Sequence, residues 1–172
     1  YYMCFQPLKL DSAPYSIRQL LESEFEYYKS IRLEAIQTEP TLFRWSDPAE
    51  SDLSDLDWQE RIKYPRIVFG LFKKDELIGM TSMLLLNDSE AYFGQSFIRP
   101  KYRGQGLSNL LYKIRMAWVD AQQIKRLVIS HREINTVSKK AIQRGGFEYS
   151  HRELVHWLDG TTGYSLYYRL EL

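Results

Sequence analysis

Two long stretches of the chain place their hydrophobic residues at helical spacing. Apolar side chains between Ile17 and Ile31 fall on one broad face, which predicts one bent helix or two, ending before Pro40. The segment from Leu107 to Ala121 has the most regular helical period in the sequence. A further helix is expected from Asp47-Pro48 towards Ile62, because Asp caps helices and proline suits their first turn.

Other segments have the alternating or continuous apolar pattern of β-strands. They run from Met3 to Leu10, Arg66 to Phe72, Leu77 to Leu86, Ala91 to Ile98, Arg126 to Ser130, Phe147 to Leu158 and Tyr164 to Leu170. Short turns join the second, third and fourth of these segments, and also the last two, as antiparallel hairpins. The helix at 107–121 connects the strand at 91–98 to the one at 126–130, so a parallel crossover is expected there.

This order of elements predicts an α/β protein of the α+β type, with a central, mostly antiparallel mixed sheet and one parallel βαβ crossover. A doubly wound nucleotide-binding fold is excluded, because strands and helices do not alternate along the whole chain. The 172 residues, 44% of them hydrophobic and 26% charged, fit one soluble globular domain over residues 1–172.

The sequence also limits where the protein is expected to work. No apolar run approaches the ~20 residues that span a bilayer, and the first residues lack the features of a signal peptide. We therefore expect no membrane association and a cytoplasmic location. The single cysteine, Cys4, excludes an internal disulfide framework and a cysteine-based metal site.

Charge is distributed unevenly along the chain, although the totals nearly cancel. The net formal charge is +1, but the part up to Leu86 has 10 Lys and Arg against 14 Asp and Glu, whereas the rest has 13 against 8. Eleven basic and two acidic residues lie between Arg99 and Arg144, and six acidic residues with no basic one lie between Trp45 and Glu60. Such zones are typical of solvated faces or of surfaces that bind ligands of opposite charge.

A turn with two glycines precedes the strongest predicted helix, and its sequence is Arg103-Gly104-Gln105-Gly106-Leu107-Ser108. Glycine allows a tight turn and the close approach of a ligand. The first amides of a helix have no carbonyl partner and face the positive end of its dipole, so such a turn can bind phosphate. Other phosphate-binding motifs are absent, because there is no GxxxxGK[ST], and Asn109 stands where GxGxxG needs its third glycine.

Two segments together resemble the motifs of one enzyme family. The segment from Phe97 to Leu107 resembles the acyl-CoA-binding motif of the GNAT superfamily of N-acetyltransferases, R/Q-x-x-G-x-G/A. Arg103, Gly106 and Ser108 occupy its fixed positions, and Ser108 departs from the usual Gly or Ala but is also small. Downstream, Asn135, Ser138 and Gly146-Phe147 are similar to the second motif of the family, in which an Asn opens a short helix that ends before Gly-Phe.

The resemblance implies a GNAT-like fold and acetyl-CoA as co-substrate, with no metal and no covalent enzyme intermediate. The strands at 91–98 and 126–130 should then splay apart and admit the pantetheine arm of the cofactor. Backbone groups of Phe97 and Ile98 would pair with that arm, and the amides from Gly104 to Ser108 would hold the pyrophosphate. Asn135 and Ser138 would complete the cofactor site.

The catalytic residues are less clearly marked than the cofactor turn. Where the family often has a Tyr that serves the leaving thiolate, this chain has Ile142, which cannot donate a proton. Where some members have a Glu base, this chain has Tyr92, with Glu90 two residues earlier on the same strand face. Glu90 and His131, at the end of the neighbouring strand, are the two predicted bases.

The acceptor is expected to be an amine, either on a small molecule or on a peptide. The acidic run from Asp47 to Glu60 can attract a cationic amine, and Trp45 and Trp58 can line its site. A homodimer is compatible with the sequence. Two alternatives are a non-catalytic acyl-CoA-binding module, which the loss of the Tyr at Ile142 favours, and a nucleic-acid-binding domain, which the acidic segment and the small net charge disfavour.

Overall fold

The computed structural model describes residues 8–172, so Cys4 and most of the predicted strand from Met3 to Leu10 lie outside the described residues. The strands of this part of the chain are β1 (Lys9–Ser12), β2 (Tyr15–Gln19), β3 (Arg66–Lys73), β4 (Glu76–Asn87), β5 (Glu90–Ile98), β6 (Arg126–Arg132), β7 (Glu148–His156) and β8 (Thr162–Glu171). Its α-helices are α1 (Phe25–Thr38), α2 (Asp55–Arg61), α3 (Leu107–Ala121) and α4 (Thr136–Arg144).

All eight described strands form one mixed sheet in the order β1-β2-β3-β4-β5-β6-β8-β7. Six of the neighbouring pairs are antiparallel, and β5 pairs with β6 in parallel through the crossover helix α3. The predicted α/β class, the mostly antiparallel sheet and the single parallel crossover are therefore confirmed. The sequence did not predict that β8 lies between β6 and β7, because a hairpin can join the edge of a sheet through either of its two strands.

Each face of the sheet packs against a different pair of helices. One core contains Leu111 and Ile114 of α3, Ile142 of α4 and inward residues of the strands. The other contains Ile31 of α1 and Trp58 of α2, again with strand residues. Side chains at alternate positions of a strand point to opposite faces, so each strand residue can be assigned to the α3 side or the α1 side.

The segment at Tyr15–Gln19 corrects the prediction for the N-terminal helix. It is strand β2, which pairs with β1 and β3, and α1 begins only at Phe25. Ile17 has the spacing of a helix face, but it is fully buried as the inward residue of a strand. The pairing partners of β2 in β3 lie 50 or more residues away, and a local period does not contain that information.

The acidic segment also begins its helix later than predicted. Ser54, rather than Asp47, caps α2, because its hydroxyl accepts from the Asp57 N–H while the Asp57 carboxylate accepts from the Ser54 N–H. This reciprocal pair is a capping box. The preceding residues form only a short 3-10 turn at Glu50–Asp52.

Much of the charge in the acidic segment is compensated within the protein. Glu50 is only 6% exposed and accepts two hydrogen bonds from Arg32, at 2.9 and 3.0 Å, and one from Arg61 at 3.0 Å. Asp55 pairs with Lys29 at 2.9 Å. The segment therefore ties α1 to α2, which does not support the predicted attraction of a cationic amine.

None of the helices among residues 8–172 combines the length and the apolar character that crossing a bilayer would require.

We expect Glu50→Gln to lower the free energy of unfolding by about 3 kcal/mol or more, because it leaves a buried guanidinium without its charge partner. Glu60→Gln is the matched control. Its side chain is 65% exposed and, in the described part of the chain, pairs with Lys63 alone, and removing such a pair changes stability by less than about 1 kcal/mol. Urea unfolding of both variants measures the difference, and equal effects would contradict the structural role of Glu50.

Candidate active site

The glycine turn between β5 and α3 is open to solvent. Gly104 and Gly106 have φ of +77° and +76°, a region that side-chain-bearing residues rarely adopt. A Cβ on Gly104 would meet nothing within 4 Å, and one on Gly106 would meet only the Asn109 Nδ2, at 3.9 Å. Among residues 8–172, no side chain caps α3. The first amides of the helix therefore face accessible space, as binding of an anion at a helix N-terminus requires.

The remaining residues of the turn frame this space. Leu107 is buried as the first residue of α3 and fixes the helix to the core, whereas Ser108 is exposed in its first turn. Gln105 accepts a hydrogen bond of 2.6 Å from the hydroxyl of Tyr15 on β2. Tyr15 was not a predicted site residue, because nothing in its local sequence indicates that β2 begins beside this turn.

The basic residues next to the turn are engaged with acids of the same chain. Arg99 binds Glu34 at 2.8 Å and Glu76 at 3.0 Å, and Arg103 binds Glu39 at 2.6 Å. The excess of positive charge between 99 and 144 is thus partly neutralised by carboxylates from distant parts of the chain. An anionic ligand at the turn would have to draw on the helix amides or compete for these arginines.

A cleft opens where β5 and β6 stop pairing. Their parallel ladder has four pairs, from Glu90–Arg126 to Phe93–Ile129, although β5 continues to Ile98 and β6 to Arg132. A bulge interrupts β5 directly after this ladder. Gln95 has φ of +54°, and the register with β4 shifts between Met80 and Ser82. Bulges bend the strand that carries them, so β5 diverges from β6 towards the glycine turn.

Ile98 and Phe97 have different positions along the edge of this cleft. The Arg99 N–H donates to the Ile78 carbonyl of β4, so the backbone of the neighbouring residue Ile98 faces the opposite side, towards the cleft. Its carbonyl accepts a hydrogen bond of 2.7 Å from the Arg103 Nε. Phe97 pairs with Met80 of β4, and its ring is buried on the α1 side. Of the two residues predicted to pair with the pantetheine arm, only Ile98 offers its backbone to the cleft.

Glu90 lies at the closed end of the β5–β6 ladder. Its carboxylate is 3.4 Å from Arg126, which also binds Glu171 at 2.5 Å. Three residues of paired strand separate Glu90 from the opening, or ~10 Å at ~3.3 Å per residue. This placement does not favour Glu90 as a base that contacts the acceptor.

His131 lies beyond the opening but is buried on the α4 side. Its ring stacks on Tyr168 with centroids 5.4 Å apart. Nδ1 is 2.7 Å from the Arg132 carbonyl, which only accepts, so Nδ1 carries the proton and Nε2 accepts from the Tyr168 hydroxyl at 3.0 Å. Burial lowers the pKa of His131 below its usual 6.5. The ring is therefore held neutral, with its basic nitrogen already occupied.

The second motif forms the predicted short helix. The Asn135 side chain accepts from the Ser138 N–H at 3.2 Å and caps α4, which ends at Arg144 before Gly145-Gly146. Ser138 lies in the first turn of α4, half-buried. Ile142 is packed in the core of the α3 side, so the family's usual tyrosine is replaced here by a structural residue.

A row of polar side chains crosses the α1 side of the sheet beside the opening. Tyr92 alternates with inward Ala91 and Phe93 and therefore points to the α1 side, where its hydroxyl is hydrogen-bonded to Ser130 of β6. Tyr167 of β8 lies opposite Ser130 in the sheet and continues the row. Of the two tryptophans predicted to line an acceptor site, Trp45 is 57% exposed, whereas Trp58 is fully buried and cannot line a site.

We expect His131 to titrate with a midpoint below 6.5. Because its pKa is lower in the folded than in the unfolded protein, protonation favours unfolding, and stability falls as the pH drops below 6.5. The C–H resonances of the histidine rings followed by NMR, with His131→Phe for assignment, measure the midpoint. In that variant the loss of unfolding free energy between about pH 7.5 and about pH 5.5 should be smaller. A His131 midpoint at or above 6.5 would contradict this.

The chain is similar to acetyltransferases in both sequence and fold. The model of the acetyltransferase (GNAT) family matches residues 17–147, more than half of the chain, whereas no curated protein matches it in sequence. Its fold is similar to that of a ribosomal-protein-S5-alanine acetyltransferase from Vibrio fischeri, with a TM-score of 0.74 and 14% identity over 95% of this chain and 96% of that one.

Two further solved structures have the same fold. One is an acetyltransferase from Salmonella typhimurium that modifies the N-terminal serine of ribosomal protein L7/L12, with a TM-score of 0.73 and 17% identity over 96% of this chain and 99% of that one. The other is RimL, an L7/L12 α-N-protein acetyltransferase in complex with coenzyme A, with a TM-score of 0.71 and 17% identity over 94% and 96%. With the family match, the chain belongs to the GNAT acetyltransferases, enzymes that use acetyl-CoA as donor.

Proposed function

We propose that the protein transfers an acetyl group from acetyl-CoA to a primary amine by direct attack in a ternary complex. The observation that carries this is the cleft between β5 and β6, which leads from the bulge at Gln95 to the open glycine turn. We also propose that residues 1–172 act as one domain in the cytoplasm.

The cofactor is proposed to lie with its pyrophosphate on the amides of Gly104 to Ser108 and its pantetheine arm along the β5 edge of the cleft. Ile98 supports this, because its backbone faces the cleft. Its carbonyl is bound by Arg103, so the Arg103 side chain has to move if the arm takes this carbonyl. Asn135 and Ser138 would contact the cofactor from the other wall, where α4 begins.

The acceptor is proposed to enter from the α1 side, where Tyr92 and Ser130 border the inner end of the cleft. The amine nitrogen attacks the thioester carbonyl carbon, the carbon–sulfur bond breaks, and coenzyme A leaves as the thiolate. The amine loses one proton and the thiolate gains one, so no oxidant or metal is needed. Holding both reactants in this cleft supplies proximity and orientation, which can account for several kcal/mol of the barrier.

The two predicted bases are retained only as hypotheses for the pH dependence. Glu90 is paired with Arg126 at the closed end, and the Nε2 of His131 is bound by Tyr168 on the α4 side. We propose instead that the Tyr92 and Ser130 hydroxyls contact the attacking amine, which then gives its proton to water. Proton transfer by a positioned side chain typically contributes ~10²–10⁴-fold, so its absence would slow the reaction without abolishing it.

A peptide or protein amine is the acceptor class that we propose. The support is that two of the structurally similar proteins, RimL and the Salmonella typhimurium enzyme, acetylate the N-terminus of ribosomal protein L7/L12. A panel of peptides with free α-amines, peptides with lysine only and small amines, assayed for free coenzyme A thiol and for product mass, tests this. If acetyl-CoA binds and none of the acceptors reacts, the protein is a non-catalytic acyl-CoA-binding module.

We expect Gly106→Val to abolish the thermal stabilisation by acetyl-CoA, because the side chain would fill the space over the first amides of α3. For the unmodified protein, the free energy of unfolding should rise by ~2.7 kcal/mol at a cofactor concentration a hundredfold above Kd.

Gly160→Val is the matched control for the backbone. Gly160 has φ of +85° and open space around its Cβ position, but it lies in the β7–β8 turn. In both variants the free energy of unfolding should fall by about 1–3 kcal/mol, because φ is unfavourable for a residue with a Cβ. Only Gly160→Val should still be stabilised against heat by acetyl-CoA. Equal shifts in both variants would refute the proposed pyrophosphate site.

A further inference from the structure

A loop segment holds Arg44 over the polar row on the α1 side. The Trp45 N–H donates to the His156 carbonyl at 3.0 Å, and the Leu158 N–H donates to the Phe43 carbonyl at 2.9 Å. Arg44 itself forms a bridge with Trp157. Backbone pairing on both sides of Arg44 fixes its position relative to β7 and β8.

The Arg44 guanidinium is only partly used by the protein. Its Nη2 donates to the Ser165 hydroxyl at 3.2 Å and to the Tyr167 hydroxyl, and its carbon lies 5.6 Å from the centre of the Tyr167 ring. Among residues 8–172, no acceptor contacts its Nε or Nη1, and no carboxylate lies within 4.0 Å. The residue is exposed, so these donors face solvent.

Several of the other charges around Tyr167 are compensated. Arg132 binds Asp159 at 2.7 Å and also contacts the Thr161 hydroxyl. Glu153 lies near Tyr167, and His151 stacks on the Tyr167 ring with centroids 4.6 Å apart. The pKa of Glu153 is lowered by a hydrogen bond from the Tyr167 hydroxyl and by His151, whose Nε2 lies 3.2 Å from the carboxylate. Glu153, whose pKa Arg44 also helps to lower, is therefore an engaged carboxylate, and Arg44 keeps donors to spare directly beside Tyr167.

We propose that Arg44 binds a carboxylate of the acceptor, so that the acceptors are amines with an acidic group close to the reacting nitrogen. This rests on the proposed function, because it assumes that the amine enters beside Tyr92 and Ser130. Guanidinium is well suited to a carboxylate, since its planar donors match the oxygens and its charge strengthens the hydrogen bonds.

The spacing fits an acidic group one or two residues from the amine. Tyr167 is the neighbour of Ser130 across the β6–β8 ladder, so the two backbones are ~4.8 Å apart. Arg44 binds the outer end of Tyr167. The carboxylate site is then one to two strand spacings, or ~5–10 Å, from the inner end of the cleft, and one extended residue covers ~3.3–3.6 Å. The carboxylate can belong to an acidic residue of a peptide or to a free amino acid.

The test compares acceptors that differ only in this charge. One set of acceptors consists of C-terminal peptide amides that begin Ala-Glu, Ala-Gln or Ala-Lys and are otherwise identical. The other set consists of the free amino acids glutamate and aspartate, each compared with its side-chain amide, glutamine or asparagine. We expect the unmodified protein to use Ala-Glu with a kcat/KM about tenfold above that for Ala-Gln, as one charge-assisted hydrogen bond implies, and Ala-Lys to be poorer still. A preference confined to the free amino acids would assign the carboxylate to a small-molecule acceptor.

Arg44→Gln should bring the Ala-Glu to Ala-Gln ratio close to one, mainly by raising KM for Ala-Glu. Arg152→Gln is the matched control, because Arg152 also lies over a tyrosine ring, that of Tyr164 at 4.1 Å. It points to the α4 side with Leu166 and Tyr168, so its removal changes the net charge equally and should leave the ratio unchanged. An unchanged acetyl-CoA thermal shift in both variants shows that they fold.

The outcomes separate the two proposals. Transfer to amines without a difference between Ala-Glu and Ala-Gln, or a difference that survives Arg44→Gln, overturns the carboxylate site alone. Failure of every acceptor although acetyl-CoA binds overturns the proposed function, and the carboxylate site falls with it.

Discussion

The interruption of the β5–β6 ladder is the feature on which the site depends. Four parallel pairs join the strands, and then Gln95 adopts a left-handed conformation that is unfavourable for a residue with a Cβ. Its side-chain oxygen accepts from the Tyr28 hydroxyl at 2.7 Å and from the Ser82 hydroxyl at 3.2 Å. These bonds compensate for the strain, so α1 and β4 together hold the bulge in place. Without it β5 would continue beside β6, and there would be no cleft.

The same bulge separates the site into two sides with different chemistry. Before it, Phe93 points to the α3 side, and after it, Phe97 points to the α1 side although four positions separate the two residues. The extra residue reverses the alternation of faces. The glycine turn and α4 lie with the α3 side, whereas Tyr92, Ser130 and Tyr167 lie with the α1 side. Two reactants can therefore approach one opening from opposite faces of the sheet.

Local patterns predicted most of the fold and the glycine turn before α3. The period of α3, the hairpin β3–β4–β5, the Asn135 cap and the glycines all depend on neighbours in the sequence, and the structure contains each of them. Apart from the later start of α2, which a local capping box decides, the features that local patterns missed have one cause. Strand β2, the partners of Arg99 and Arg103, and the location of Glu90 are decided by pairing with residues far along the chain. Arg44 and Tyr167, 123 positions apart, have no local signal.

Charge compensation decides which of the basic residues are available to a ligand. Arg99 and Arg103 each have a carboxylate within 3.0 Å. A phosphate at the turn can therefore bind these arginines only in competition with Glu34, Glu39 and Glu76. The unpartnered amides of α3 carry no such cost, and the helix dipole adds to their attraction. The net count of basic residues along 99–144 therefore overstates the attraction for anions. On the α1 side the reverse holds, because Arg44 directly precedes the acidic segment but has no carboxylate within 4.0 Å among residues 8–172, so its Nε and Nη1 retain their donors. Binding in this protein follows the pairing of each charge more than the charge of the segment that contains it.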